Sequence, residues 1–170
     1  MSKRLTVREI TVFAMLGALL FGSKVLLEAV PNVHPVTMLI MVYTLLYRKK
    51  AIFPILIYLV LDTVKWGFAT MVPYWYIFPL VWLATLALPK RLSGWRLQAA
   101  CTALCTLFGL AFGVLYAPWQ AILMHLNLQK MLLWIAAGFY FDLMHAAGNF
   151  AASFLILPLV RLLRKIDKQA

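Results

Sequence analysis

Long apolar stretches alternate with short basic ones along this chain, and the alternation predicts its elements before any single residue does. Apolar runs occupy residues 6–30, 36–47, 51–67, 97–116 and 139–159, and one more ends at Pro89 behind a connector at residues 68–79. Runs approaching twenty residues are what an α-helix rising ~1.5 Å per residue needs to cross ~30 Å of hydrocarbon. The pattern predicts an all-α integral membrane protein of six transmembrane helices, a single domain over residues 1–170. After Glu28 the chain reads AVPNVHPV, where two prolines flank a polar segment containing Asn32 and His34. A residue before proline is pushed out of helical geometry, so this segment is expected to be a turn. Residues 117–138 are interrupted by Pro118, Gln120, His125, Asn127, Gln129 and Lys130, and are expected to form an outer loop with a re-entrant or interfacial helix.

Composition agrees with that reading. A chain that is 65% hydrophobic and 12% charged, with mean hydropathy +0.90, is not an ordinary soluble domain, where about a quarter of residues are charged. A net charge of +11 would suggest nucleic acid in a soluble protein, but here the cations lie between apolar runs. The partner they imply is the lipid bilayer, with no nucleic acid. Basic residues concentrate in cytoplasmic loops. Placing Lys3, Arg4, Arg8, Arg48, Lys49, Lys50, Lys90, Arg91, Arg96, Arg161, Arg164, Lys165 and Lys168 inside accounts for 13 of the 16, leaving Lys24, Lys65 and Lys130 outside. Both termini are then cytoplasmic. The lead MSKRLTVREI shows no small-residue cleavage site, so no cleaved signal is expected. Cys101 and Cys105, four apart with no other Cys or His adjoining, read as packing residues. No internal repeat of the kind found in inverted-repeat transporters is visible.

The chemistry concentrates in residues 139–159, FYFDLMHAAGNFAASFLILPL. Asp142, His145 and Asn149 fall at i, i+3 and i+7, within roughly 60° of one helix face, while Phe141, Leu143, Phe150 and Phe154 make the other face oily. An ionisable group facing lipid at that depth costs about 3 kcal/mol or more, so the polar stripe is expected to look into the protein or a wet pocket. It is either a ligand site or a set of hydrogen bonds to neighbouring helices. On the six-span topology the outer ends also gather Lys24, Glu28, Asn32, His34, Asp62, Lys65, Trp66, Trp75, Trp119, Gln120 and His125. Asp62 and Lys65, three apart, are placed either to pair along their helix or to meet a ligand. Tyr74, Trp75 and Tyr76 form either an interfacial aromatic belt or a pocket wall. Among the small residues, Ala14 and Ala18, with Gly17 and Gly22 near them, and Gly109 with Gly113, have the spacing of close-packing seams.

The outward pocket has no polar path continuing through the inner half, which suits a capture subunit better than a self-sufficient carrier. Here the chain resembles the substrate-binding S components of energy-coupling factor vitamin transporters. The resemblance covers nearly the whole chain and is carried by VPNVHPVTMLIMVYTLLY and FDLMHAAGNF. In that family an Ala-x-x-x-Ala seam on the first helix contacts the transmembrane coupling subunit, and Ala14 to Ala18 matches it. The resemblance implies a multi-pass protein of the bacterial plasma membrane that captures a vitamin outside and works with the coupling subunit and two cytoplasmic ATPases. No Walker motif occurs, so ATP hydrolysis would belong to those partners.

Cobalamin or another corrinoid is the favoured ligand on two grounds: resemblance to the cobalamin-importing group, and an inventory of Trp, Tyr, Asn and Gln without an isolated cation. Pantothenate, folate and a queuosine precursor stay open. The expected binding residues are Asn32, His34, Lys65, Trp66, Tyr74, Trp75, Trp119, Asp142, His145 and Asn149, with Ala14 and Ala18 for the partner. A start of Met1-Ser2-Lys3 disfavours a free metal ion as ligand, and no cofactor is implied. The competing class is an intramembrane enzyme built on Asp142 and His145, but neither a third metal ligand nor a nucleophile beside a base is evident. A purely structural membrane subunit, its outer polar groups paired among themselves around no cavity, is the third class.

Overall fold

The computed structural model describes residues 5–29 and 34–169, with side chains through residue 166, and every regular element among them is helical. The elements are α1 (Val7–Leu26), α2 (Val36–Tyr47), a 3-10 turn (Arg48–Ala51), α3 (Ile52–Trp66), α4 (Phe68–Ala87), α5 (Gly94–Leu110), α6 (Phe112–Leu123), α7 (Leu128–Ser153) and α8 (Ile156–Gln169). Four helical stretches are long and apolar enough to cross a membrane: α1, α4, the nearly continuous α5 and α6, and α7. With 12 and 15 residues, α2 and α3 are shorter than a bilayer core demands.

Local chemistry sets the boundaries. Thr6 and Glu9 form a reciprocal capping box that starts α1, Thr6 Oγ1 accepting from the Glu9 amide at 3.2 Å and Glu9 Oε2 from the Thr6 amide at 3.1 Å. Asn127 Oδ1 caps α7 by accepting from the Lys130 amide at 2.9 Å. Residues 117–138 are thus not a re-entrant loop: they are the end of α6, a turn with His125 at φ +52°, and the first turns of α7. Residues 68–79 are not a connector either, because α4 runs through Pro73 and Pro79. In an apolar setting the cost of breaking all the backbone hydrogen bonds exceeds that of the one each proline deletes. The run at 139–159 is broken at residues 154–155, where Pro158 has no N–H to offer the Phe154 carbonyl.

At the centre is α2, whose residues from Val36 to Thr44 are all buried. A helix apolar all round belongs inside, and α2 is sheathed by α1, α4, α5, α7 and α8. Tyr43, Ile40 and Met41 share a core with Tyr58, Phe78, Cys105 and Ile156. Both cysteines are buried free thiols. α5 packs along α7 with almost no space between backbones: a Cβ added at Gly109 would lie 2.6 Å from Ala146 Cα. α1 lies on α3, where a Cβ at Gly17 would lie 2.7 Å from Ile57. Ala14, Ala18 and Gly22 face away from this seam and are exposed.

Ion pairs fix the ends of the molecule. Glu9 pairs with Lys50, bringing the start of α1 to the 3-10 turn, and at this end the chain also gathers Arg48, Lys90 and Arg164. The opposite end holds Lys24, Glu28, Asp62 and Lys65.

Candidate functional site

The polar stripe of α7 faces inward. Asp142, His145 and Asn149 are buried, while Phe141, Leu143, Phe150 and Phe154 are each about half exposed. Gly113 makes room for Asp142: its amide donates to Asp142 Oδ1 at 2.9 Å, and any side chain there would collide with the carboxylate. Asp142 lines a cavity of about 370 Å³ between α4, α6 and α7. Its walls are aromatic: Tyr74, Phe112, Tyr116, Trp134 and Phe141, with Tyr116 and Trp134 stacked at 6.1 Å. Gln120 and Gly138 complete the lining.

One turn further along α7, His145 is 2% exposed, and among the described residues neither of its ring nitrogens finds a hydrogen-bond partner. It lies between Phe112, at 4.9 Å between ring centroids, and His34, at 5.1 Å. His34 Nδ1 is likewise buried without a partner among the described residues. Burial, reinforced by His145 and Lys24 nearby, pushes the His34 imidazole down to about 3, so it is neutral at physiological pH. Buried polar atoms without partners cost roughly 1–3 kcal/mol each, and three on two adjacent rings mark a place that a hydrogen-bonding guest would relieve. Asn149 donates from Nδ2 to the Cys105 carbonyl at 3.0 Å, which ties α7 to α5 and leaves Oδ1 unpartnered.

A charged cluster borders the histidines. Lys24 pairs with Asp62 at 2.6 Å and lies over the Tyr74 ring at 4.6 Å, and Asp62 also accepts from Tyr58 Oη at 3.0 Å. Asp62 is fully buried and points to α1, so it does not pair with Lys65 on its own helix; Lys65 pairs with Glu28 and lies over Trp66. Trp75 donates from Nε1 to Thr63 at 3.0 Å, and Trp119 to the Ala69 carbonyl at 2.7 Å; both act here as ties between helices.

Of the ten expected binding residues, Tyr74 and Asp142 line the cavity, and His34 and His145 lie beside it, bridged to it by Phe112. Lys65, Trp66, Trp75 and Trp119 do not line it, and Asn149 lies deeper along α7. Asn32 falls outside the described residues. Phe112, Gly113, Tyr116, Trp134, Gly138 and Phe141 were not anticipated, although Trp134, Gly138 and Asp142 recur at i, i+4 and i+8 and so share a face. Among the described residues no three His, Cys, Asp or Glu side chains are grouped to hold a metal ion. Comparison with protein-family models, with curated proteins and with solved structures finds no match to this chain.

Proposed function

We propose that this chain is a six-span, membrane-embedded capture subunit of the energy-coupling factor type, with both termini cytoplasmic, in a bacterial plasma membrane. Its role is to bind a vitamin at the outer side and hand it on with a coupling subunit and two ATPases. The observation that carries this reading is the aromatic cavity ending on Asp142, with the unpartnered nitrogens of His34 and His145 beside it. It lies at the end opposite Arg48, Lys90 and Arg164, which on the positive-inside rule is the outer end. A stretch of aromatic wall with a few convergent polar groups is the usual make-up of a small-molecule site. The exposed Ala14 and Ala18 on α1 leave a smooth face for the coupling subunit.

For the ligand, the abundance of aromatic groups at this end favours a corrinoid. Its ring is too broad for a cavity of about 370 Å³, so it would rest on the rim with a side arm inside. The cavity volume itself favours a second reading, a compact vitamin such as pantothenate, that the aromatic walls enclose. Mass spectrometry of small molecules retained by the purified protein, followed by calorimetry with the compound found, tests both. A retained corrinoid or compact vitamin whose affinity falls at least tenfold in Asp142→Asn and His145→Phe supports capture at this site. A protein that retains nothing and binds none of these compounds refutes it, and chemical conversion of the compound by the chain alone would favour an enzyme.

A further inference from the structure

At the basic end a second cavity, of about 400 Å³, is lined by Arg48, Lys90 and Arg164 together with Leu88, Leu92 and Leu97. The three cations come from three separate elements: the 3-10 turn, the α4–α5 loop and α8. Among the described residues no acid lines the cavity. The acids whose side chains are described are engaged elsewhere, Glu9 with Lys50, Glu28 with Lys65, Asp62 with Lys24 and Asp142 with the Gly113 amide. Three like charges around one hollow repel one another unless an anion joins them.

Arg48 is also held in place at a cost. Its φ of +54° and ψ of −122° lie in a region that residues with a Cβ rarely adopt, and such strain concentrates where a side chain must be aimed. Trp82 Nε1 donates to its carbonyl at 3.1 Å, and its own Nη2 donates to the Leu86 carbonyl at 3.2 Å, so backbone and guanidinium are both fixed before any ligand arrives. The leucines decide which anion suits the hollow. They sit where α4 ends and where α5, which with α6 makes a stretch long and apolar enough to cross a membrane, begins, a position that suits the boundary between hydrocarbon and water. A free phosphate or nucleotide gains nothing from that apolar wall, whereas a phosphate carrying acyl chains does.

We propose that Arg48, Lys90 and Arg164 form a binding site for the phosphate of an anionic phospholipid whose chains lie against Leu88, Leu92 and Leu97. The site needs no assumption about what the opposite end captures. Its test is native mass spectrometry of the full chain in detergent, titrated with phosphatidylglycerol or with phosphatidylcholine of the same chain length. Phosphatidylglycerol is expected to bind at least tenfold more tightly. Because Lys90 and Arg164 are exposed, Lys90→Gln and Arg164→Gln leave the fold intact; each should weaken phosphatidylglycerol about fivefold, the effect of removing about 1 kcal/mol of attraction per charge. Lys49→Gln, an exposed cation of the same turn that does not line the cavity, should change it less than twofold. Equal affinity for the two lipids, equal loss in all three variants, or displacement of the lipid by equimolar inorganic phosphate would each overturn the proposal.

Discussion

Replacing Gly109 with alanine adds one methyl group where the backbone of α5 meets that of α7. The new Cβ would lie 2.6 Å from Ala146 Cα and 2.9 Å from the His145 carbonyl carbon, whereas carbons rest about 3.5–4.0 Å apart. The two helices must separate by roughly 1 Å, and no side chain can yield instead because the obstacle is main chain. Overpacking of this kind costs about 1–3 kcal/mol, against a gain of up to about 1 kcal/mol from the better helix propensity of alanine. The net expectation is a loss of about 1–2 kcal/mol. The same 1 Å shift would stretch the 2.9 Å hydrogen bond from Gly113 to Asp142 beyond useful length, so ligand affinity should fall with stability. Gly22→Ala is the control, since nothing lies within 4 Å of its added Cβ and only the propensity gain applies. Unfolding followed by circular dichroism in mixed micelles of increasing SDS content measures both variants. If Gly109→Ala is as stable as the parent, or moves in the same direction as Gly22→Ala, the close approach of α5 and α7 is not as described.

Three further outcomes are expected. Asp62→Asn leaves the partly buried Lys24 without its counter-charge and should cost about 3 kcal/mol in the same unfolding assay, while Lys24→Met combined with Asp62→Leu should cost much less; equal losses would deny the pairing. The His34 imidazole is held near 3 in the folded state against about 6.5 unfolded, so the unfolded chain takes up the proton first and stability falls as pH drops from about 6.5 toward 3, by on the order of 1 kcal/mol per pH unit. Midpoints measured between pH 7 and 4.5 should show that slope, and a His34→Phe variant with an unchanged slope would contradict it. Ala14→Trp with Ala18→Trp should abolish co-purification with a coupling subunit while leaving ligand binding to the isolated chain intact; retained co-purification would remove α1 as the docking face.

How far the sequence could be read depended on whether the relevant physics was local. The bounds of α2, the inward face of Asp142, His145 and Asn149, and the crowding at Gly109 and Gly113 follow from periodicity and residue size, and all are found in the structure. Pro73, Pro79 and Pro118 misled, because they punctuate helices in water but are absorbed inside the apolar helices α4 and α6, where the remaining backbone hydrogen bonds outweigh the one that each proline deletes. Pro158 did break its helix, four residues upstream, where the orphaned carbonyl lies. Partner choice was not legible at all. Spacing put Asp62 and Lys65 on one face, but which face α1 covers decides that Asp62 meets Lys24 and Lys65 meets Glu28. Likewise the aromatic wall at Phe112, Tyr116 and Trp134 exists only once the turn at residues 124–127 folds α7 back against α6.

The burial of α2 also bears on how the protein is made. At 12 residues, about 18 Å, it cannot bridge a bilayer alone, and the surfaces that enclose it come from both earlier and later segments. Ile156, Leu157 and Val160 of α8 complete that enclosure, so the core stays open until the ribosome has synthesised α8. A chain truncated before Ile156 would therefore leave α2 without part of its cover, and the exposed apolar surface should make such a fragment a substrate for quality-control proteolysis.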